Sequence, residues 1–305
     1  MNEPISDISF LNRAEIDPIR WDQCIQASVN GLIYARSVYL DKMAAHWSAL
    51  IWRDYEIVMP LPWNKKMGVS YLYQPAFTAQ LGLFFIQDPL PLLAEEFIGA
   101  CKARFRFCEM ALNFANEVEG TSPRANYVLN LNRSYGEIRR GYKKRLLENL
   151  GEAEVHQLDY QADTDYSSTI QLFKKQYAVR MPQVRPKDYE RFEELCLALH
   201  QHNMVFARQV RDRSGELLNT SIFFRDDKRI YNIMSVSLPL GREKRAHFYL
   251  LDRLITEFAQ CPLLLDFEGS QLPGVAEFYR KFGSLHQPYP FLRYNHLPFL
   301  LRLFK

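Results

Sequence analysis

No run in this 305-residue chain approaches the roughly 20 apolar residues that a membrane-crossing helix needs, which argues against a helical span. The opening MNEPISDISF is acidic and has no apolar core of signal-peptide length, so the expectation is a soluble, cytoplasmic protein. Charge of one sign is also missing. The 38 basic and 35 acidic residues leave +3, too little for a dedicated nucleic-acid binder, though compatible with a local basic patch. The five cysteines (Cys24, Cys101, Cys108, Cys196, Cys261) are odd in number, scattered and without CxxC spacing. They read as reduced core thiols, not as a disulfide framework or a zinc site. No GxSxG, Walker-type, HExxH or GxGxxG pattern is present. His200-x-His202 finds no third ligand and reads as a helix-end pair, so no metal is expected.

What is present is a regular alternation of helix and strand signals. The first half reads as a strand at 5–11, helices over 18–27 and 37–46, and strand-like alternation from Trp47 to Pro62. Ser37 is the expected cap of the second helix. A turn through Asn64–Gly68 leads into a strand at 69–73, Asp88-Pro89 opens a helix to about Ala103, and 105–114 reads as a strand. Trp47, Trp52 and Trp63 are expected to pack and not to hold a ligand. The polar stretch EVEGTSPRA (117–125) marks the expected domain boundary. Beyond it come a strand at 127–131, a charged helix from Ser134 to before Gly151, a strand at 155–160, and helices at 166–179 and 188–201. Strands at 205–211, 217–225 and 229–236 are joined by RSGE and DDK turns that suit hairpins. A helix over about 243–260, a short strand, a short helix and a strand pair around 285–294 complete the chain.

The most informative segment is Leu263–Gly283, LLLDFEGSQLPGVAEFYRKFG. A buried-strand run ends in Asp266, Phe267 and Glu268. Gly269, Ser270 and Pro273-Gly274 break it, and an amphipathic helix carries Phe278, Tyr279 and Phe282 to a stop at Gly283. FYRKFG is similar to the FYEKLGF-type ending of the GNAT acyltransferase superfamily. The block from DFEGS to KFG resembles Fem-type proteins, the peptidoglycan aminoacyltransferases of bacteria and their relatives. PAFTAQLGLF (75–84) resembles a first-domain signature of proteins with the same tandem layout. The resemblance implies an α/β (α+β) fold of two tandem GNAT-like domains, 1–125 and 126–305. Each would be a mixed, mostly antiparallel sheet flanked by helices, with a cleft between them and the 291–305 tail packing back on the first.

Acyl transfer to an amine requires a proton to leave the amine, donors for the oxyanion and a proton for the leaving group. The resemblance gives Tyr279 the last role, as acid for a departing thiolate. Fem-type aminoacyltransferases carry a Lys where Tyr279 stands, and here Lys281 lies two residues on, which shifts weight from aminoacyl-tRNA towards acyl-CoA. Asp266 and Glu268, two apart on a strand, point to one face and are candidate bases, with Glu268 nearer the open end. A structural reading stands beside each: a core aromatic for Tyr279 and a backbone cap for Asp266.

The coenzyme A diphosphate would meet Gly241, Arg242, Lys244 and Arg245, a loop with one glycine where the family pattern has two. A solvated helix start without ligand is the alternative. Arg140, Lys143 and Lys144 share an expected helix face, and Arg140 and Lys144 are candidates for substrate phosphates. Tyr177, Arg180 and Arg185 flank a break between helices, and Tyr177, Arg180 and Lys281 complete the candidate substrate set. The favoured function is transfer of an acyl group from acyl-CoA (acetyl-CoA) to an amine acceptor, a small molecule or cell-wall precursor, without metal. The alternatives are tRNA-dependent aminoacyl transfer to a peptidoglycan precursor and a non-catalytic binding module of the same fold.

Overall fold

The computed structural model describes residues 7–87, 91–268, 271 and 273–299. The helix opening expected at Asp88-Pro89, Gly269-Ser270 and most of the terminal PFLLRLFK lie outside these residues. Two compact units are present, 1–124 with 288–305, and 125–287.

Unit 1 runs β1 (Ile8–Asn12), α1 (Pro18–Ala27), α2 (Ser37–Met43), β2 (His46–Trp52), β3 (Ile57–Lys66), β4 (Val69–Tyr73), β5 (Phe84–Phe85), α3 (Pro91–Arg104), β6 (Phe107–Ala111) and β7 (Ser122–Arg124). α1 begins where expected because the Asp17 carboxylate accepts from the Ile19 and Arg20 N–H groups and Pro18 needs no acceptor. Ser37 does not cap α2 but is its first residue, tied through its N–H and Oγ to Asp22. The alternation from 47 to 62 is two strands, separated by a turn in which Arg53 and Tyr55 have positive φ. Trp47 donates to Asp41 and Trp63 to Ser48. The PAFTAQLGLF stretch is held by buried amides. Asn116 accepts from Leu83 N–H, Asn30 donates to Leu83 O, and Gly82 at φ 89° leaves no room for a Cβ beside Asn116.

Unit 2 runs β8 (Tyr127–Asn130), α4 (Tyr135–Arg140), α5 (Lys144–Glu154), β9 (Asp159–Asp163), α6 (Tyr166–Tyr177), α7 (Pro186–His200), β10 (Val205–Arg211), β11 (Leu217–Arg225), β12 (Arg229–Ser237), α8 (Pro239–Glu243), α9 (Ala246–Glu257), β13 (Leu264–Asp266), α10 (Pro273–Arg280) and β14 (Leu285–His286). The last strand, β15 (Tyr289–Asn295), leaves this unit and enters the sheet of unit 1 between β6 and β7. The expected terminal pair is therefore divided between two sheets. The linker-like 117–125 also contributes the edge strand β7.

The unit 1 sheet has the order β1-β2-β3-β4-β6-β15-β7, with β5 also on β3. The unit 2 sheet has the order β14-β8-β13-β12-β11-β10-β9. Each is mixed, with one parallel strand pair (β4–β6, β12–β13) among otherwise antiparallel pairings. The fold is α+β, two mixed sheets flanked by helices. In unit 2, α4, α5, α9 and α10 bury one face around Leu146, Leu250, Leu254, Phe267 and Phe282. On the other face Thr169 of α6 meets Thr220, and Phe192 of α7 stacks on Phe224.

The charged helix expected from Ser134 is two helices. Ser134 and Glu137 form a reciprocal cap as the sequence suggests, but the chain breaks at Gly141 and restarts with Lys143 as the next cap. The cause is tertiary. Lys143 N–H donates to Lys281 O, and a Cβ on Gly283 (φ 72°) would come within 2.7 Å of Gly141 O. Two glycines thus let the α4–α5 turn nest against the end of α10. Lys143 and Lys144 consequently do not share a continuous helix face with Arg140.

Candidate functional site

The geometry that matters arises at β12 and β13. Their parallel pairing covers only Arg229–Leu264, Ile230–Leu265 and Tyr231–Asp266, where β13 ends. β12 continues to Ser237, so from Asn232 onward it has no strand partner on that side among the described residues. A bulge opposite Ile222 and Phe223 falls at the same point and adds twist where the strands part.

Tyr279 stands at this divergence. Its ring stacks on Phe267 at 4.7 Å between centroids, and its hydroxyl accepts from Asn232 Nδ2 at 3.3 Å. The side chain is 8% exposed. Burial first, then the charge of Glu268, pushes its pKa well above the ordinary tyrosine value, so the phenol is neutral at any physiological pH. Asp266 and Tyr177 are also within electrostatic reach of the hydroxyl. Glu268 is half-buried just past the strand end, at φ 54°. That left-handed turn ends the strict alternation that would have put it on the same face as Asp266.

Asp266 is engaged differently from a base. It is fully buried, takes Arg229 Nη1 on Oδ2 at 2.9 Å, and takes Asn126 Nδ2 on Oδ1 at 2.8 Å. Glu268 N–H adds a third donor at 3.3 Å, and Arg229 reaches Gln287 as well. Such a carboxylate ties β13 to β12 and to the residue that leads into β8.

The expected diphosphate loop is also occupied by internal contacts. Gly241 is buried because α8 lies hard against β11, and a Cβ there would sit 2.0 Å from Leu218 O. Its absence of side chain serves packing. Lys244 pairs with Asp212 at 2.7 Å, and Arg245 pairs with Glu152 at 2.7 Å while capping α9 at φ 58°. Arg242 donates to Ser237 O at 2.6 Å, at the far end of the open β12 edge. Gln176 reaches the same carbonyl at 3.1 Å and also Tyr177 OH at 2.9 Å. Tyr279 thus meets β12 at Asn232, whereas Arg242 and Gln176, the latter also bonded to Tyr177, meet it at Ser237. Arg180 is exposed in the 3-10 turn after α6. Lys281 lies over the Phe248 ring, and Arg140 and Lys144 are exposed on α4 and α5. Among the described residues, none of these four forms a hydrogen bond, ion pair or ring contact with Tyr279.

Sequence reasoning passed over a polar set beneath this edge. Asn219 and Ser221 on β11 face Ser237 and Ser235 on β12. Asn219 donates to Ser237 Oγ at 2.7 Å and lies 3.1 Å from His247 Nδ1, and the Oγ atoms of Ser221 and Ser235 are 2.6 Å apart. The signal was legible as polar residues at every second position in LLNTSIFF and again in the NIMSVS stretch of β12. Enclosure of the His247 ring, with Phe278 at 4.9 Å, lowers its pKa from about 6.5 to about 4. The unfolded chain then binds the proton between those values while the folded chain does not. Stability must therefore fall as pH falls through that window. Urea unfolding at pH 5 should give a stability roughly 2 kcal/mol below that at pH 7 from this group, a loss that His247→Gln removes.

Among the described residues no group of three metal-ligating side chains exists, and no helix is long and apolar enough to cross a membrane. A separate cavity of about 540 Å³ lies in unit 1, lined by Glu95, Glu117, Glu119 and Tyr289 among others, and none of the sequence-expected residues lines it.

No protein-family model matches the chain, and no curated protein matches it in sequence. Solved structures do match its fold. FemX aligns over 92% of this chain and 96% of its own, with a TM-score of 0.63 and 12% identity. A conserved protein of unknown function from Bacteroides thetaiotaomicron covers 94% of this chain and 99% of its own, with a TM-score of 0.59 and 10% identity. The C-terminal domain of a protein assigned as a lysylphosphatidylglycerol synthetase of Agrobacterium fabrum covers 91% of each, with a TM-score of 0.55 and 12% identity. The chain therefore shares its fold with FemX and with that synthetase domain.

Proposed function

We propose that the protein is an N-acyltransferase whose site is the divergence of β12 and β13 in unit 2, with an acyl-CoA such as acetyl-CoA as donor and an amine as acceptor. The observation that carries this reading is the Tyr279 hydroxyl at the point where β12 loses its strand partner, with Glu268 beside it. An unpaired strand edge can hydrogen-bond the amides of an extended pantetheine arm as it would a peptide. Arg242 at the end of that edge is the cation placed to meet the diphosphate, since Lys244 and Arg245 already hold carboxylates.

In the reaction the amine nitrogen attacks the thioester carbonyl carbon. The new C–N bond forms as the C–S bond breaks, the amine proton passes to Glu268, and the thiolate sulfur takes the proton of Tyr279. The left-handed backbone at Glu268 is the kind of local strain found where a side chain is aimed for function. The acceptor class includes small amines and amine-bearing cell-wall precursors, and use of acyl-CoA puts the work in the cytoplasm.

Titration calorimetry with acetyl-CoA tests the donor. Saturable binding, weakened in Arg242→Ala and by added salt, is expected. Absence of binding to acetyl-CoA together with binding of charged tRNA would replace the donor by aminoacyl-tRNA. Absence of both would leave a binding module of this fold.

A further inference from the structure

We propose that Asn232 is a positioning residue that holds the proton of Tyr279 outward, ready for donation, and steadies the phenolate left behind. The inference rests on the acyl-transfer reading of the same site. Asn232 is buried and sits on β12 at the bulge. Ser235 Oγ donates to its Oδ1 at 3.1 Å, which turns the amide NH2 to Tyr279 Oη at 3.3 Å. Ser221 Oγ lies 2.6 Å from Ser235 Oγ and 3.3 Å from Asn219 Oδ1, and its single proton serves one of them at a time.

An amide NH2 group can only donate. The Tyr279 proton therefore points away from Asn232. When that proton leaves with the thiolate, the charge developing on Oη meets a donor already in place. A donor fixed in advance on the oxygen that becomes negative costs no reorganisation during the reaction. While Ser235 Oγ donates to Oδ1, the amide is held away from the opposite sense, in which its carbonyl would capture the phenolic proton and silence it as an acid.

The test uses Asn232→Asp, close in size, in the full-length protein. Its carboxyl resembles the amide when protonated, since the O–H still offers a donor to Tyr279, but when ionised it only accepts. The readouts are release of thiol from acetyl-CoA with a primary amine and the ¹³Cζ resonance of Tyr279 in tyrosine-labelled protein, assigned by its loss in Tyr279→Phe. In Asn232→Asp, kcat relative to wild type is expected to fall by about tenfold or more as pH rises from about 5 to about 9, with KM for acetyl-CoA little changed. The Tyr279 resonance should shift over the same pH range in the variant and stay constant in wild type. In the double variant with Tyr279→Phe, the pH dependence that Asn232→Asp introduces should disappear.

Ser235→Ala, which frees the amide to rotate, should lower kcat by a smaller factor and serves if the first variant does not fold. A pH-independent ratio of kcat, or a Tyr279 resonance in Asn232→Asp that does not respond to pH, overturns the proposal. If wild type neither binds nor cleaves acetyl-CoA, the acyl-CoA reading fails, and the resonance still decides which way the hydroxyl points.

Discussion

Tyr279→Phe is expected to reduce the rate of acyl transfer by roughly 10- to 1000-fold, the loss that follows removal of a general acid. The change deletes one oxygen and one hydrogen bond of 3.3 Å. The ring stays stacked on Phe267 and packed within the unit 2 core. Stability should change by about 1 kcal/mol, so the effect on rate is not a folding effect. Because burial and Glu268 hold the phenol neutral far above neutral pH, wild-type activity should show no alkaline limb from this group in the physiological range. Thiol release and melting temperature, measured on the same preparations, separate the two effects. Unchanged turnover in a folded Tyr279→Phe protein would make the ring a core aromatic only.

The second large effect concerns stability. Asp266→Ala removes one partner of the buried Arg229–Asp266 pair, and breaking such a pair costs about 3–5 kcal/mol. Both Asp266 oxygens bond side chains of unit 2, Asn126 ahead of β8 and Arg229 on β12, so the loss should appear as a lowered urea midpoint of unit 2. Replacing both partners with apolar residues of similar size should recover much of it. Activity per folded molecule should fall far less than in Tyr279→Phe. A stable but inactive Asp266→Ala variant would reverse these assignments and make Asp266 the base.

Local signals were legible in the sequence where the chain itself determines the structure. The meander β10–β11–β12 was readable because RSGE and DDK punctuate alternating apolar strands, and α1 because Asp17 and Pro18 mark its start. Features set by distant contacts were not. Gly141 breaks the expected helix because Gly283 comes to meet it, while Gly151 is passed through by α5 with nothing nearby to exploit it. The turn at 53–56 uses Arg53 and Tyr55 at positive φ and so carries no Gly or Asn signal. The departure of β15 into the other sheet depends on pairing with β6 and β7, not on its own composition.

At the site the same division holds. Tyr279 and Glu268 were visible through the FYRKFG and DFEGS block, and the charge of Glu268 acts on the Tyr279 hydroxyl. The side-chain partners of Asp266, Lys244 and Arg245 are 30 or more residues away in sequence, and no local pattern announces them. Asn232 and the serine set were written as polar residues inside apolar strands, a pattern that asks for an explanation whenever the face is buried.

The central claim is that an acyl donor lies along the open edge of β12. Hydrogen–deuterium exchange of the wild-type protein with and without saturating acetyl-CoA measures this directly. Slower exchange is predicted in 232–237, in α10 and around Tyr177, with little change in β10 or in the unit 1 strands. Protection confined to other segments, such as those bordering the unit 1 cavity at Glu117 and Tyr289, would contradict it.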